Sequence, residues 1–264
     1  MAQILGNIIK KAGGAAGAVE LFINNVKQTQ YKKCELLDYT TAFTNKSTLP
    51  YSFYSGCAVV YNNEIHILGS SSSGNERKHY KWNGSSWSSV STLPYDFYGG
   101  SAVVYGGRIH ILSSYISNHN KKHYSWNGSS WSSVSTLPYA FFWGSAVVYG
   151  GVIHILGAYN GATSHYSWNG SSWLYVSSIP YNFYSGSAAV YNSEIHILGA
   201  YNGATKHYKW NGSSWLSVSS IPYNFYSGGA VVYDKAINIL GGSNTSTRHY
   251  FFRVIGKPYC ALLS

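Results

Sequence analysis

The sequence predicts an all-β fold, a β-propeller of four-stranded antiparallel blades, because the chain repeats one turn-rich unit. Five prolines mark this repeat and are separated by 44, 44, 42 and 42 residues: Pro50, Pro94, Pro138, Pro180 and Pro222. Four histidines and an asparagine follow with the same spacings: His66, His110, His154, His196 and Asn238. Repeats of this length that contain several short strands are typical of propeller blades.

Each unit carries the signals of four short strands. In the second unit, small residues begin a strand at Ser101–Tyr105, and Gly106-Gly107 supplies a two-residue turn that tolerates positive φ. A second strand and a loop of variable length follow, and Asn127-Gly128 makes another tight hairpin into a strand around Trp131. The predicted repeats are residues 48–91, 92–135, 136–177, 178–219 and 220–264.

The segment before the first clear repeat allows two interpretations. Residues 18–23 and 26–29 resemble two strands around an Asn-Asn turn, and Phe43 precedes Pro50 as Trp87 precedes Pro94. We therefore expect six blades, with residues 18–47 as a degenerate first blade and residues 1–17 as an N-terminal arm. The alternative is five blades, with residues 1–47 as a docking segment.

The repeats resemble those of the kelch family over residues 48–264. The matching features are the Ala-Val-Val-Tyr strand, the Ile-His-Ile-Leu-Gly strand, the Tyr-x-Trp strand and the Trp that follows it. The double glycine that the family places after the second strand is intact only at Gly241-Gly242. The near-identical units of the type Tyr-Ser-Trp-Asn-Gly-Ser-Ser-Trp are similar to kelch-like repeats in proteins of phages and of Gram-positive gut bacteria. This resemblance implies a propeller associated with a phage virion or tail.

Composition favours an external protein with an uncharged polar surface. Charged residues make up only 10% of the chain, which has 26 tyrosines and a net charge of +10. Tyrosine, serine and asparagine supply contacts without strong charge, and the basic balance favours an anionic partner. The sequence predicts no secretory signal and no membrane span. We therefore expect the protein on a virion or cell exterior, assembled in the cytoplasm without a signal peptide.

Cysteine use indicates no disulfide framework. Cys57 occupies a position that holds a small residue in every other repeat, so it is expected to be a core residue. Cys34 and Cys260 lie near the two ends of the chain and could pair only if the ring brings those ends together.

No pattern in the sequence predicts catalysis, a metal or a cofactor. The eight carboxylates occupy no repeated loop position, so the paired acids of a glycosidase are hard to assemble. The repeated histidines lie at equivalent positions of different blades and so cannot converge on one metal ion. We expect them to be structural, hydrogen-bonded between blades, and we expect a binding protein rather than an enzyme.

The predicted binding surface is the face that carries the 2–3 loops and the inter-blade loops, here called the loop face. The short hairpins occupy the opposite face and are uniform, whereas the loop face varies between repeats and is rich in aromatic and basic residues. We expect about half of these aromatics, the phenylalanines first, to pack between blades. The candidate ligand-binding residues are Trp143, Phe142, Tyr54, Tyr98, Tyr184, Tyr226, Lys78, Lys122, Lys206 and Arg248.

Trp143 is the most specific candidate, because its equivalents are the small residues Ser55, Gly99, Ser185 and Ser227. An indole there is either a platform for a ligand or a plug in the mouth of the central channel.

These features favour a surface-recognition module of a virus particle that binds a host-surface glycan or phosphate polymer. Residues 1–47 would then contact other virion proteins. A structural or decoration propeller that binds only protein is the main alternative, and an intracellular kelch adaptor is a third. Nucleic acid is a poorer partner, since the basic residues lie at loop tips rather than in an aromatic groove.

Overall fold

The computed structural model describes residues 22–23, 26–27, 47–161, 163–242 and 249–254. The chain divides into two compact units, residues 1–46 and residues 47–264. In the first unit, β1 (Phe22–Ile23) and β2 (Val26–Lys27) form a two-residue antiparallel ladder. The predictions for Cys34, Cys260 and Arg248, and for most of residues 1–47, lie outside the described residues.

The second unit is a β-propeller of five antiparallel blades. In every blade the strands pair in sequence order, with strand one innermost. Blade 1 comprises β3 (Cys57–Tyr61), β4 (Glu64–Leu68), β5 (Lys78–Trp82) and β6 (Trp87–Thr92). Blade 2 comprises β7 (Ser101–Tyr105), β8 (Arg108–Leu112), β9 (Lys122–Trp126) and β10 (Trp131–Thr136). Blade 3 comprises β11 (Ser145–Tyr149), β12 (Val152–Leu156), β13 (Ser164–Trp168) and β14 (Trp173–Ser178).

The last two blades have shorter outer strands. Blade 4 comprises β15 (Ser187–Tyr191), β16 (Glu194–Leu198), β17 (His207–Trp210) and β18 (Trp215–Ser217). Blade 5 has three strands among the described residues: β19 (Gly229–Tyr233), β20 (Ala236–Leu240) and β21 (His249–Phe252).

The expectation of six blades is therefore wrong, and the five-blade alternative is confirmed. A blade needs several strands that bury a face against a neighbour, and the described part of residues 18–47 contains only the short β1–β2 ladder. The repeat pattern does extend back to Ser47. The indole N–H of Trp87 donates to the Ser47 hydroxyl at 3.1 Å, as Trp131 donates to Ser91 one blade later.

The 1–2 hairpins have the predicted turns. Both central residues have positive φ in all five, as type I′ turns require: Asn62-Asn63, Gly106-Gly107, Gly150-Gly151, Asn192-Ser193 and Asp234-Lys235. In the 3–4 hairpins the asparagine side chain accepts hydrogen bonds from the two following serine amides, as Asn83 does from Ser85 and Ser86 at 2.9 Å. Because of these tight turns, the connections between strands on one face of the propeller are short and regular.

Two sets of hydrogen bonds tie consecutive inner strands together. A serine hydroxyl at the start of each of three inner strands accepts the backbone amide of the next blade at 3.0–3.1 Å: Ser101 from Ala146, Ser145 from Ala188 and Ser187 from Ala230. Just before these strands, backbone amides and carbonyls link one residue per blade in series at 2.6–2.8 Å: Ser55, Gly99, Trp143, Ser185 and Ser227. We call this second set the left-handed ladder, because all five residues have φ between 55° and 62°.

The core lies between adjacent blades and is repeated with them. Its largest fully buried side chains are one phenylalanine from each inter-blade loop: Phe97, Phe141, Phe183 and Phe225. These four confirm that phenylalanine packs first among the loop aromatics. The fit is close, since a Cβ on Gly69 would lie 1.9 Å from the backbone oxygen of Phe97. The glycine after strand two therefore lets the next blade approach.

The repeated histidines are structural, as predicted, although their mutual hydrogen bonds lie within a blade rather than between blades. In blade 2, His110 Nδ1 lies 2.8 Å from His123 Nε2, and His123 Nδ1 lies 2.8 Å from the Ser135 hydroxyl. The Trp173 indole of the next blade donates to the same hydroxyl at 3.0 Å. Blades 1 and 3 repeat this chain of bonds, and in blade 5 Asn238 replaces the first histidine and pairs with His249 at 2.8 Å.

Burial keeps these histidines neutral. Desolvation, with a smaller contribution from the partner histidine, lowers the pKa of three of the strand-three histidines to about 3: His79, His123 and His165. Desolvation also lowers the pKa of four others to about 4: His110, His154, His196 and His207. In the unfolded chain each would titrate near its ordinary pKa of about 6.5.

We therefore expect the propeller to be acid-sensitive. Below pH 6.5 these histidines bind protons in the unfolded chain but not in the folded chain. The stability that the protein has at neutral pH is therefore lost as the pH falls toward 4. Each buried histidine should lower the free energy of unfolding at pH 5 by about 1–2 kcal/mol relative to its value at neutral pH. Urea unfolding at about pH 7.5 and pH 5 measures the difference. His110→Asn, which copies the Asn238–His249 pair, should reduce that difference. Equal stability at both pH values would contradict the assignment.

Candidate functional site

The loop face carries a continuous row of aromatic rings, here called the aromatic belt. It runs from blade 2 to blade 5 and comprises Tyr98, Tyr115, Phe142, Trp143, Tyr159, Tyr184, Tyr201 and Tyr226. Each ring contacts the next, with centroids no more than 6.0 Å apart. The structure thus brings together five of the six predicted aromatic residues.

Three exposed tyrosines of the belt were not among the predicted residues. Tyr115, Tyr159 and Tyr201 are 47%, 54% and 57% exposed, and each follows the last leucine of strand two by three residues. Their backbone amides donate to the inter-blade loop of their own blade, as Tyr159 does to the Phe142 carbonyl at 3.1 Å. Their spacing of 44 and 42 residues, equal to that of the prolines, is the sequence signal that could have identified them.

The belt repeats one arrangement from blade to blade. Within a blade, the loop aromatic lies beside the exposed tyrosine, as Tyr184 stacks on Tyr201 at 5.6 Å with 29° between the ring planes. Between blades, the exposed tyrosine meets the next loop aromatic edge-on, as Tyr201 meets Tyr226 at 5.3 Å and 75°. Aromatic rings prefer stacked and edge-on contacts, so these contacts between neighbouring rings stabilise the belt.

Blade 1 does not continue the belt. Tyr54 is 72% exposed, and the position that holds Tyr115 in blade 2 is Ser71 here. The Ser71 amide makes the equivalent hydrogen bond, to the Tyr54 carbonyl at 2.8 Å, so the backbone is the same and only the ring is missing. Among the described residues, Tyr54 is therefore the predicted aromatic that the structure places outside the row.

Trp143 adds a ring at one place in this repeating row. Its indole stacks on Tyr115 with a centroid distance of 4.9 Å and 15° between planes, and it meets Tyr159 edge-on at 5.7 Å. It is half-buried, whereas Phe142 beneath it is buried. Trp143 also has φ of 55°, a conformation that is unfavourable for a bulky side chain.

The three described lysines among the predicted basic residues contact tyrosines that are not part of the belt. Each of the three described lysines extends over a buried tyrosine of its own blade: Lys78 over Tyr51, Lys122 over Tyr95 and Lys206 over Tyr181, with the ammonium 5.1–5.6 Å from the ring centroid. Such contacts are favourable cation–π interactions. Since the described contacts join none of these lysines to the belt, the structure separates the predicted site into two groups.

Two of the lysines line grooves at the outer edge of the propeller. The groove at Lys78 has a volume of about 440 Å³ and is also lined by Arg77, Glu76 and Asp96, so its charges offset each other. The equivalent groove in blade 2 has a volume of about 340 Å³ and is lined by Lys121, Lys122, two asparagines and hydroxyl side chains. This second groove has the better chemistry for an anionic group.

Among the described residues, no group of three or more histidine, cysteine, aspartate or glutamate side chains is placed to hold a metal ion. The described part of the chain also contains no helix with the length and apolar character needed to cross a membrane.

We expect Trp143→Ser to change the free energy of unfolding by no more than about 1 kcal/mol, as for surface sites. Serine already occupies this conformation at Ser185 and Ser227, so relief of backbone strain offsets the lost ring contacts. Urea unfolding followed by circular dichroism tests this, and Phe141→Ala is a buried control expected to lose about 3–5 kcal/mol. A similar loss for Trp143→Ser would show that the indole is a plug.

Comparison with known proteins supports the fold and nothing finer. No protein-family model matches the chain, and no curated protein matches it. A solved structure described as "Structure of YjhT" is similar to this chain with a TM-score of 0.64 and 14% sequence identity, over 73% of each chain. At that identity the similarity concerns the fold alone, which is an all-β propeller of antiparallel blades.

Proposed function

We propose that this protein is a non-enzymatic recognition module that binds a host-surface glycan through the aromatic belt. The observation that carries the proposal is the belt itself, in which each of three exposed tyrosines at equivalent positions contacts one loop aromatic of its own blade and one of the next blade. Exposed aromatic faces with hydroxyl groups suit sugars, because the C–H face of a sugar ring packs on the aromatic face while its hydroxyls form hydrogen bonds.

We further propose that the module is a kelch-type propeller of a virus particle, such as a phage tail or another virion-attached protein. The kelch-like strand motifs and the low charge of the chain support this context. In this proposal residues 1–47 contact other virion proteins. The alternative is a structural propeller that binds only protein, and it is supported by the same tyrosines, since tyrosine is enriched where proteins bind each other.

The test is to remove the exposed rings and measure glycan binding. We expect the triple variant Tyr115→Ala, Tyr159→Ala, Tyr201→Ala to lose binding to a glycan array and to immobilised host cell-wall polysaccharide. Each ring contact contributes about 0.5–1.5 kcal/mol, so three together change affinity by about tenfold or more. Tyr175→Ala is the matched control, because Tyr175 is a 59% exposed tyrosine outside the belt.

Two results would contradict the proposal. One is that the full-length protein binds no glycan on the array and no cell-wall polysaccharide. The other is that the triple variant binds as strongly as the control. Binding to a purified particle protein that is lost in the triple variant, without any glycan binding, would instead support the structural alternative.

A further inference from the structure

We propose that the aromatic belt binds a neutral, linear polysaccharide, and that Gly99 and Trp143 act as a pair that determines specificity at its blade 2–blade 3 end. This inference rests on the proposed function and narrows its ligand to one chemical class.

The periodicity of the belt favours a polymer as the ligand. Tyr115, Tyr159 and Tyr201 occupy equivalent positions in three successive blades, and the ring contacts between them repeat with nearly the same distances. The edge-on contact between blades measures 5.4 Å at Tyr115–Phe142 and 5.6 Å at Tyr159–Tyr184. A surface that repeats in this way fits a ligand that also repeats, such as a polysaccharide.

The charge distribution favours a neutral chain. All eight belt residues are tyrosine, phenylalanine or tryptophan, whereas three described lysines of the loop face, Lys78, Lys122 and Lys206, lie over tyrosines outside the belt. Desolvation and the neighbouring Tyr201 and Tyr159 raise the pKa of Tyr184 above its ordinary value, so this phenol is neutral at physiological pH. The belt therefore offers aromatic faces and hydroxyl groups but no cation for an acidic sugar or phosphate.

The specificity pair follows from the space above Gly99. A Cβ on Gly99 would lie 2.7 Å from Nε1 of Trp143 and 3.0 Å from its Cδ1, so the indole extends back over blade 2 only because residue 99 has no side chain. In that position the indole stacks on Tyr115 and fills the interval between Tyr115 and Tyr159. The next interval, between Tyr159 and Tyr201, contains Tyr184 but has Ser185 where blade 3 has Trp143.

The belt thus has one wide aromatic step and one narrow step. Two rings, Phe142 and Trp143, contact both Tyr115 and Tyr159 in the wide step. In the narrow step Tyr184 alone contacts both Tyr159 and Tyr201. A sugar unit with a large apolar face fits the wide step, and the difference between the two steps gives the bound chain a preferred register.

Gly99→Ser is the direct test, because it displaces the indole without removing it. Serine occupies the equivalent left-handed position at Ser55, Ser185 and Ser227, so the backbone accepts the change. We expect unchanged cooperative unfolding and a loss of about tenfold in affinity for the neutral polysaccharides that the wild-type protein binds, with dextran, cellulose-type β-glucan and galactan as probes. Affinity of the wild-type protein should change by less than about twofold between low and high salt, since no charge is involved.

A double variant keeps the test informative if the single variant is unstable. Gly99→Ser with Trp143→Ser reproduces the serine pair of Ser185 and Ser227. Because Gly99 acts through Trp143, the double variant should bind no more weakly than Trp143→Ser alone. Additive losses would overturn the pairing. Lys122→Gln is the matched control for charge and should leave neutral polysaccharide binding unchanged.

The remaining outcomes separate this inference from the proposed function. If binding requires a sulfated or phosphorylated polymer, falls with salt and is lost in Lys122→Gln, the ligand is anionic and uses the blade 2 groove, so the inference fails. If neutral polysaccharide binding depends on the three exposed tyrosines but survives Gly99→Ser unchanged, the specificity pair is wrong and the proposed function stands. Absence of all polysaccharide binding refutes both.

Discussion

The left-handed ladder is the constraint on which the loop face depends. In it, one residue of each blade takes a positive φ, and in blades 2 to 5 that residue donates its amide to the carbonyl of the equivalent residue in the preceding blade. These bonds turn the chain from the inter-blade loop into the innermost strand at the same angle five times. The residue before each ladder position is an aromatic of the inter-blade loop: Tyr54, Tyr98, Phe142, Tyr184 or Tyr226. The belt exists because these backbone bonds repeat.

The interior of the blades depends on a different set of bonds, in which two histidines, a serine and the indole of the next blade form a buried polar chain. Because a buried polar group without a partner is costly, each member of the chain favours keeping the others. Blades 1 to 3 keep all four members, and their outer strands are nearly identical in sequence, whereas blade 5 replaces the first histidine by Asn238 and retains the pair with His249. The loops above them carry no comparable requirement, and variation is concentrated there.

Local signals in the sequence predicted much of the fold, and they failed where contacts between repeats decide the outcome. The turn pairs and the small-residue strands identify the blades because backbone conformation depends on a few neighbouring residues. The prediction of a sixth blade was wrong because it relied on the match of Phe43 to Trp87 and on one possible hairpin, and such local matches do not specify the several strands that a blade needs. Tyr115 and its equivalents could not be singled out from local pattern, because they lie in loops that differ between the repeats. The position of each lysine over a tyrosine could not be predicted, since it depends on how strand three meets the preceding loop.

The contact between residue 99 and the Trp143 indole also constrains the order in which this surface can evolve. If serine is taken as the ancestral residue at both positions, as in Ser185 and Ser227, glycine at position 99 is a mild change because glycine adopts positive φ without strain. If tryptophan appeared at position 143 while residue 99 was still serine, its indole would lie too close to the Cβ of residue 99. Glycine is therefore the permissive substitution and tryptophan the dependent one. A repeat protein whose copies begin alike can in this way acquire one distinctive site, through an epistatic pair that spans the boundary between two repeats.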